Sequence, residues 1–134
     1  MKETLRAKTL RLFQLLRRLE ESDDEGVSKC VTCGVMKHYS ELQGGHFLPK
    51  GKSSYFALDK RNVWPQCPSC NLFGMKYGVA AQEYTLFMIT KYGKKQVNQM
   101  LVDASKINKL YAADYRDMIA EFNAQIKKHK SRML

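Results

Sequence analysis

A chain of 134 residues that is 44% hydrophobic has enough apolar material for one modest domain, and a core that small often leans on a metal or a partner subunit. Its 23 Lys and Arg stand against 13 Asp and Glu, a formal charge of +10, which argues for a polyanionic partner, most commonly nucleic acid. No stretch approaches the roughly 20 apolar residues of a bilayer span, and Arg11, Arg17 and Arg18 interrupt the apolar residues of the basic N-terminus, so neither membrane insertion nor secretion is expected.

A reducing, cytoplasmic setting follows as the expectation. There, four cysteines serve more readily as metal ligands than as two disulfides.

Residues 3–21, ETLRAKTLRLFQLLRRLEE, place Leu5, Leu12, Leu16 and Leu19 on one helical stripe with Phe13 and Leu15 beside it. The acidic run ESDDEG then reads as a linker. Residues 28–78 differ in texture. They hold all four Cys, all three Pro, the single Trp, two of the three His and six of the eight Gly, with brief apolar pieces such as GHFLP and NVWPQ. A segment with so little periodic core is one that a bound metal would fold. The helical period returns at Val79. VAAQEYTLFMITKY predicts one helix with Gly93 as its C-cap, and KKQVNQMLVDA a second. Ser105 is the expected N-cap of a third, carrying Ile107, Leu110, Tyr111, Asp114, Tyr115, Met118, Ile119, Phe122 and Ile126 at three- and four-residue steps. The last residues, KKHKSRML, read as a frayed basic tail. The division expected is an N-terminal helix and linker at 1–25, a metal-bearing core at 26–93, and C-terminal helices at 94–134, within one α+β domain.

CVTC (Cys30, Cys33) and CPSC (Cys67, Cys70) are two C-x2-C knuckles separated by the 33 residues 34–66. Together they offer four thiolates to one tetrahedral ion, which suits Zn²⁺. The competing reading of a redox-active C-x-x-C lacks a βαβ context on either side. Four thiolates leave no open coordination position, so the zinc is structural.

The insert carries His46 in GGHFLPKG and Asn62 in KRNVWPQC, and Asn71 directly follows Cys70. Singly, each has an ordinary explanation: a hydrogen-bonded histidine, a turn residue and a helix cap. In order, C-x2-C, G-H-x-x-P, then R-N-x4-C-x2-C-N resembles the zinc-bearing HNH (His-Asn-His, ββα-metal) nucleases. The sequence is most similar to the phage NinG/Rap recombination endonucleases, with the endonuclease VII family more distant. CVTCG, GGHFLPKG, ALDKRNVWPQCPSCN and EYTLFMITKYG carry the resemblance, which covers residues 28–93; the outer helices add none.

The resemblance implies an HNH core flanked by helices and a metal-dependent DNA endonuclease of phage recombination acting on branched DNA, of Holliday-junction or flap type. His46 would be the general base, Asn62 the residue that holds the hairpin and the histidine, and Asn71 a ligand of a catalytic Mg²⁺ or Mn²⁺. A neutral imidazole can accept a proton from water near neutral pH, and a hard divalent ion accepts an amide oxygen. Lys50, Lys52, Lys60 and Arg61 lie close in sequence and are candidate phosphate contacts; a solvated loop explains them equally well. Many HNH nucleases carry an Asp before the first His. Here Gly45 stands there, which leaves Glu41, Asp59 or Glu83 as further candidate ligands. His38 and His129 read as structural or surface residues, Trp64 as core, and Tyr77, Tyr84 and Tyr92 as helix packing. A resolvase of symmetric junctions would be a homodimer. The alternative to the nuclease is a non-catalytic, zinc-stabilised nucleic-acid-binding module.

Overall fold

The computed structural model describes residues 2–50, 54–106 and 108–133. Helix α1 (Leu5–Glu20) is followed by strands β1 (Val27–Lys29), β2 (Met36–His38) and β3 (Gln43–His46), the short helix α2 (Ser54–Ala57), and strand β4 (Val63–Gln66). A wide, π-helical turn over Ser69–Gly74 runs into α3 (Met75–Tyr77), and then come α4 (Ala80–Tyr92), α5 (Lys94–Ser105) and α6 (Ala112–Arg132). The strands form two antiparallel pairs. Val27 faces His38 in the first, and in the second Gln43 faces Gln66 and His46 faces Val63.

Thr4 starts α1 by accepting the Ala7 N–H at 3.0 Å. The leucine stripe turns inward as its spacing requires: Leu12, Leu16 and Leu19 are buried together with Ile126 of α6. Phe13 meets Phe122 with ring centroids 5.2 Å apart. A second core of Phe56, Trp64, Tyr84, Met88, Val97 and Met100 joins β4 to α4 and α5. Trp64 is 4% exposed. The Arg17 guanidinium carbon lies 4.5 Å and Lys91 Nζ 4.7 Å from the centre of its ring.

Arg17 links α1 to the strands. Its side chain is fully buried, and its Nε donates to the Val63 carbonyl at 2.8 Å. Nη1 reaches Glu20 at 3.0 Å and Glu21 at 3.3 Å, which compensates the buried charge.

Three expectations are corrected. Ser105 does not cap a third helix: it ends α5, and its hydroxyl donates back to the Val102 carbonyl at 2.6 Å. Helix α6 starts at Ala112, where Asp114 accepts the Tyr111 N–H at 2.8 Å; Ile107 lies outside the described residues. The basic tail is not frayed through residue 132. Arg132 donates to the Leu19 and Ser22 carbonyls at 3.1 and 3.0 Å and pairs with Asp24 at 3.0 Å, satisfying carbonyls at the open end of α1. Tyr77 does not pack into a core but is 65% exposed, whereas Tyr84 is fully buried and donates to the Gly45 carbonyl at 2.7 Å.

Candidate functional site

The two knuckles meet. Cys30 follows β1, and the backbone turns so that the Gly34 N–H reaches the Cys30 carbonyl at 2.9 Å and the Cys33 N–H reaches Cys30 Sγ at 3.5 Å. Cys67 follows β4, and Cys70 sits on the wide turn. All four Sγ atoms lie within 4.8 Å of one another. The Cys33–Cys67 separation is 3.7 Å. A tetrahedron with Zn–S bonds of about 2.3 Å has an edge of about 3.8 Å, so the donor set fits zinc. Crowding splits the thiols. Burial opposes ionisation at Cys30, but N–H groups from Cys33 and Cys67 and the Thr32 hydroxyl hold it down at about 6. Burial and neighbouring thiols push Cys70 up to about 12. An ion bound by all four would remove that conflict.

A polar chain leads from the cysteines to the second strand pair. Thr32 Oγ1 lies 3.3 Å from Cys30 Sγ and accepts from Gln66 Nε2 at 3.2 Å. Gln66, fully buried on β4, lays its amide against Gly45. A Cβ at Gly45 would stand 2.6 Å from Gln66 Cδ, and one at Gly44 would stand 2.7 Å from Gln14 Cβ on α1. The paired glycines of β3 therefore admit α1 on one side and Gln66 on the other.

His46 ends β3, half-buried, with Nε2 2.9 Å from the Ala57 carbonyl. A carbonyl only accepts, so Nε2 carries the hydrogen and Nδ1 keeps the lone pair. Burial, helped by the charges of Lys50 and Arg6 and opposed by the Ala57 bond, holds its pKa below the ordinary 6.5. Asn62 is fully buried beneath the loop that follows. Its Oδ1 accepts the Leu48 N–H at 2.8 Å, and its Nδ2 donates to the Leu48 and Phe56 carbonyls at 3.1 and 3.4 Å. Asn71 Nδ2 donates to Gln43 Oε1 at 2.8 Å, which leaves Asn71 Oδ1 as the acceptor end of the amide.

His46 and Asn71 line one open cleft of about 780 Å³. Lys50 lines it too, and α1 supplies Gln14 and Arg18. Arg18 is fixed by backbone: Nε donates to the Gln14 carbonyl at 3.2 Å and Nη1 to the Tyr39 and Leu42 carbonyls at 2.9 Å each. No carboxylate pairs with it among the described residues, and burial lowers its pKa. A shallower hollow lined by Arg6, Arg11 and Lys50 continues the cleft along α1. Gln14 and Arg18 were legible only as part of the polar side of an amphipathic helix; their four-residue spacing puts them on one face, but nothing local says what that face meets.

The other candidates lie elsewhere. Among the described residues lining the cleft there is no carboxylate. Glu41 is exposed on the turn before β3. Glu83 lies on α4 outside the lining. Asp59 is held by Arg61 through Nε at 3.0 Å and Nη2 at 2.8 Å; burial would raise this carboxyl, but the Arg61 bonds keep it below its usual range. Arg61 also lies 3.8 Å from Asp103, and Lys60 3.6 Å from Glu20. Among the described residues, Lys50 is thus the one cation named from sequence that lines the cleft. Lys52 lies outside the described residues.

Residues 3–132 match the family model described as Bacteriophage Lambda NinG protein, and the chain belongs to that family. The match takes in both terminal helices, beyond the segment whose motifs carried the resemblance. No curated protein and no solved structure matches the chain.

Proposed function

We propose that this member of a phage, recombination-related family is a metal-dependent DNA endonuclease of the HNH type, acting on branched DNA. The observation that carries the reading is the convergence of His46, Asn71 and an acid-free Arg18 on one cleft. A phosphodiester is an anion, and a cleft lined by two cations and no described carboxylate suits it. Arg18 and Lys50 would hold the phosphate oxygens, with Arg18 already oriented by three carbonyls. His46 Nδ1 would take the proton from the attacking water. The hydrogen bond to Ala57 keeps the ring in the required tautomer, and the lowered pKa keeps it neutral at pH 7. Asn62 acts at a distance, through the Leu48 and Phe56 backbone that frames the histidine. β3, β4 and the wide turn that holds Cys70 and Asn71 follow one another in the order that the resemblance to the HNH nucleases implies.

A divalent ion fits this donor set in part. Asn71 Oδ1 is a suitable hard ligand, but Mg²⁺ sites ordinarily include one or two carboxylates beside substrate phosphates. Such an ion would supply charge relief at the phosphate as a Lewis acid. The non-catalytic binding module remains the second reading, favoured by the same cationic groove.

The separating experiment is a nicking assay on supercoiled, linear and four-way-junction DNA with Mg²⁺, Mn²⁺ or EDTA. Wild type should cut in a metal-dependent manner. His46→Ala should lose about 10²–10⁴-fold in rate while retaining zinc and DNA affinity. Equal cutting by His46→Ala, or no cutting by zinc-loaded wild type, would leave the binding module.

A further inference from the structure

The wide turn over Ser69–Gly74 and α3 has two unlike sides. Met75 packs inward against the Trp64 core. On the other side Leu72, Phe73 and Tyr77 are 66%, 64% and 65% exposed. The Phe73 and Tyr77 rings lie 5.1 Å apart between centroids, tilted by 49°, and Lys76 Nζ lies 5.3 Å from the Tyr77 ring centre. No other described element covers these three side chains. Large apolar groups left in water beside a functional cleft mark a contact surface. The patch is continuous with the cleft, because Leu72 lines it together with His46 and Asn71.

We propose that Phe73 and Tyr77 form a stacking platform for unpaired or unstacked DNA bases next to the cleft, and so select branched over plain duplex DNA. This rests on the reading of the cleft as a DNA site. Aromatic faces with a cation alongside recognise bases without regard to sequence, because every base offers a π-face. In continuous duplex those faces are hidden by neighbouring pairs; at a branch they are not. The cleft's cations would hold the backbone while the rings take the bases, much as inserted side chains exploit weakened base steps elsewhere. A second copy of the chain is the competing occupant. It carries the same charge of +10, and pairing the two patches would bring two cationic clefts together, which like-charge repulsion opposes.

The test measures binding of zinc-loaded protein, without added divalent ion, to a four-way junction and to a duplex of equal length at matched salt. Wild type should favour the junction. Phe73→Ala with Tyr77→Ala should weaken junction binding about tenfold or more, from the usual value of base–aromatic stacking, and leave duplex binding unchanged. Tyr77→Phe should behave as wild type, whereas Phe73→Leu, which keeps apolar area without a ring, should resemble Phe73→Ala. Equal losses on both DNAs, or no loss on either, overturn the platform while leaving the cleft reading intact. Loss of self-association by the double variant in sedimentation assigns the patch to a second copy and likewise overturns it. If wild type binds neither DNA, the platform and the nuclease reading fall together.

Discussion

Helices α1 and α6 meet through side chains that need only be apolar and correctly spaced: Leu12, Leu16 and Leu19 against Ile126 and Phe122. The segment between β1 and β4 is organised otherwise. Cys30, Leu42 and Cys67 make a small cluster of their own, and most of what fixes the backbone there is directional: four thiols, Asn62 on Leu48, Gln66 on Thr32, Arg18 on two carbonyls. Burial tolerates exchange of one hydrophobe for another. A ligand set or a hydrogen-bond geometry does not. The difference teaches where a functional cleft can be placed with sub-ångström demands, and the cleft lies on the directional side.

Removing the metal should separate the two regions most strongly. Metal analysis should find about one zinc per chain, and its loss should cost on the order of 10 kcal/mol, the scale of structural zinc binding. Cys67→Ser should shift the emission of Trp64 toward that of a solvated indole. Trp64 is the only tryptophan, so the signal reports the core that joins β4 to α4 and α5 rather than the leucine contact of α1 with α6. Simultaneous loss of all far-UV helical signal would break the comparison, showing that α1 and α6 do not hold without the staple.

The helical side should yield next. Leu16→Ala should cost about 2–5 kcal/mol in denaturant unfolding, as for other buried leucines, with zinc content unchanged. Zinc loss from this variant would show the regions to be one cooperative unit. Asn62→Ala should cost about 2–4 kcal/mol by leaving the Leu48 N–H and carbonyl without their partner, and should lower nicking activity further than its stability loss explains. Arg132→Ala should cost only about 1 kcal/mol, read as a small drop in thermal midpoint with full activity.

The smallest effect is the pH dependence at His46. Its folded pKa lies below the ordinary 6.5 because burial disfavours the cation. The unfolded chain therefore takes up this proton first, and stability falls as pH drops from about 6.5 through the folded value. At pH 7 and above the term vanishes. Comparison of wild type with His46→Ala between pH 7 and 5 should show this slope only in wild type. The acid limb of nicking should likewise lie below pH 6.5, since the base must be neutral.

What could be read from the sequence follows the same division. The stripe of α1, the helix ended by Gly93 at φ 86° and the four-cysteine set rest on periodicity and spacing, which are local. Ser105 misled because a serine between two helical patterns suits an N-cap and a helix end equally well, and the choice lay with Asp114 nine residues on. Arg132 resembled the lysines around it until Leu19 and Ser22 were brought beside it. Tyr77 follows the spacing of a packed helix, yet the wide turn before it rotates the chain so that Met75 takes the inward place. For Arg18, Asp59 and Arg61 the residue types were visible, but which cation would be paired and which left free was settled by contacts between distant segments.

The contact between Gly45 and Gln66 also bears on how this protein can change over time. Gly45→Asp, taken alone, would force the new side chain into an amide tied through Thr32 to Cys30. A lineage cannot acquire an acid at that position by a single substitution without straining the cysteine cluster; the glutamine must shrink first. The two sites are epistatic, and engineering a carboxylate at position 45 should begin with the Gln66→Ala background.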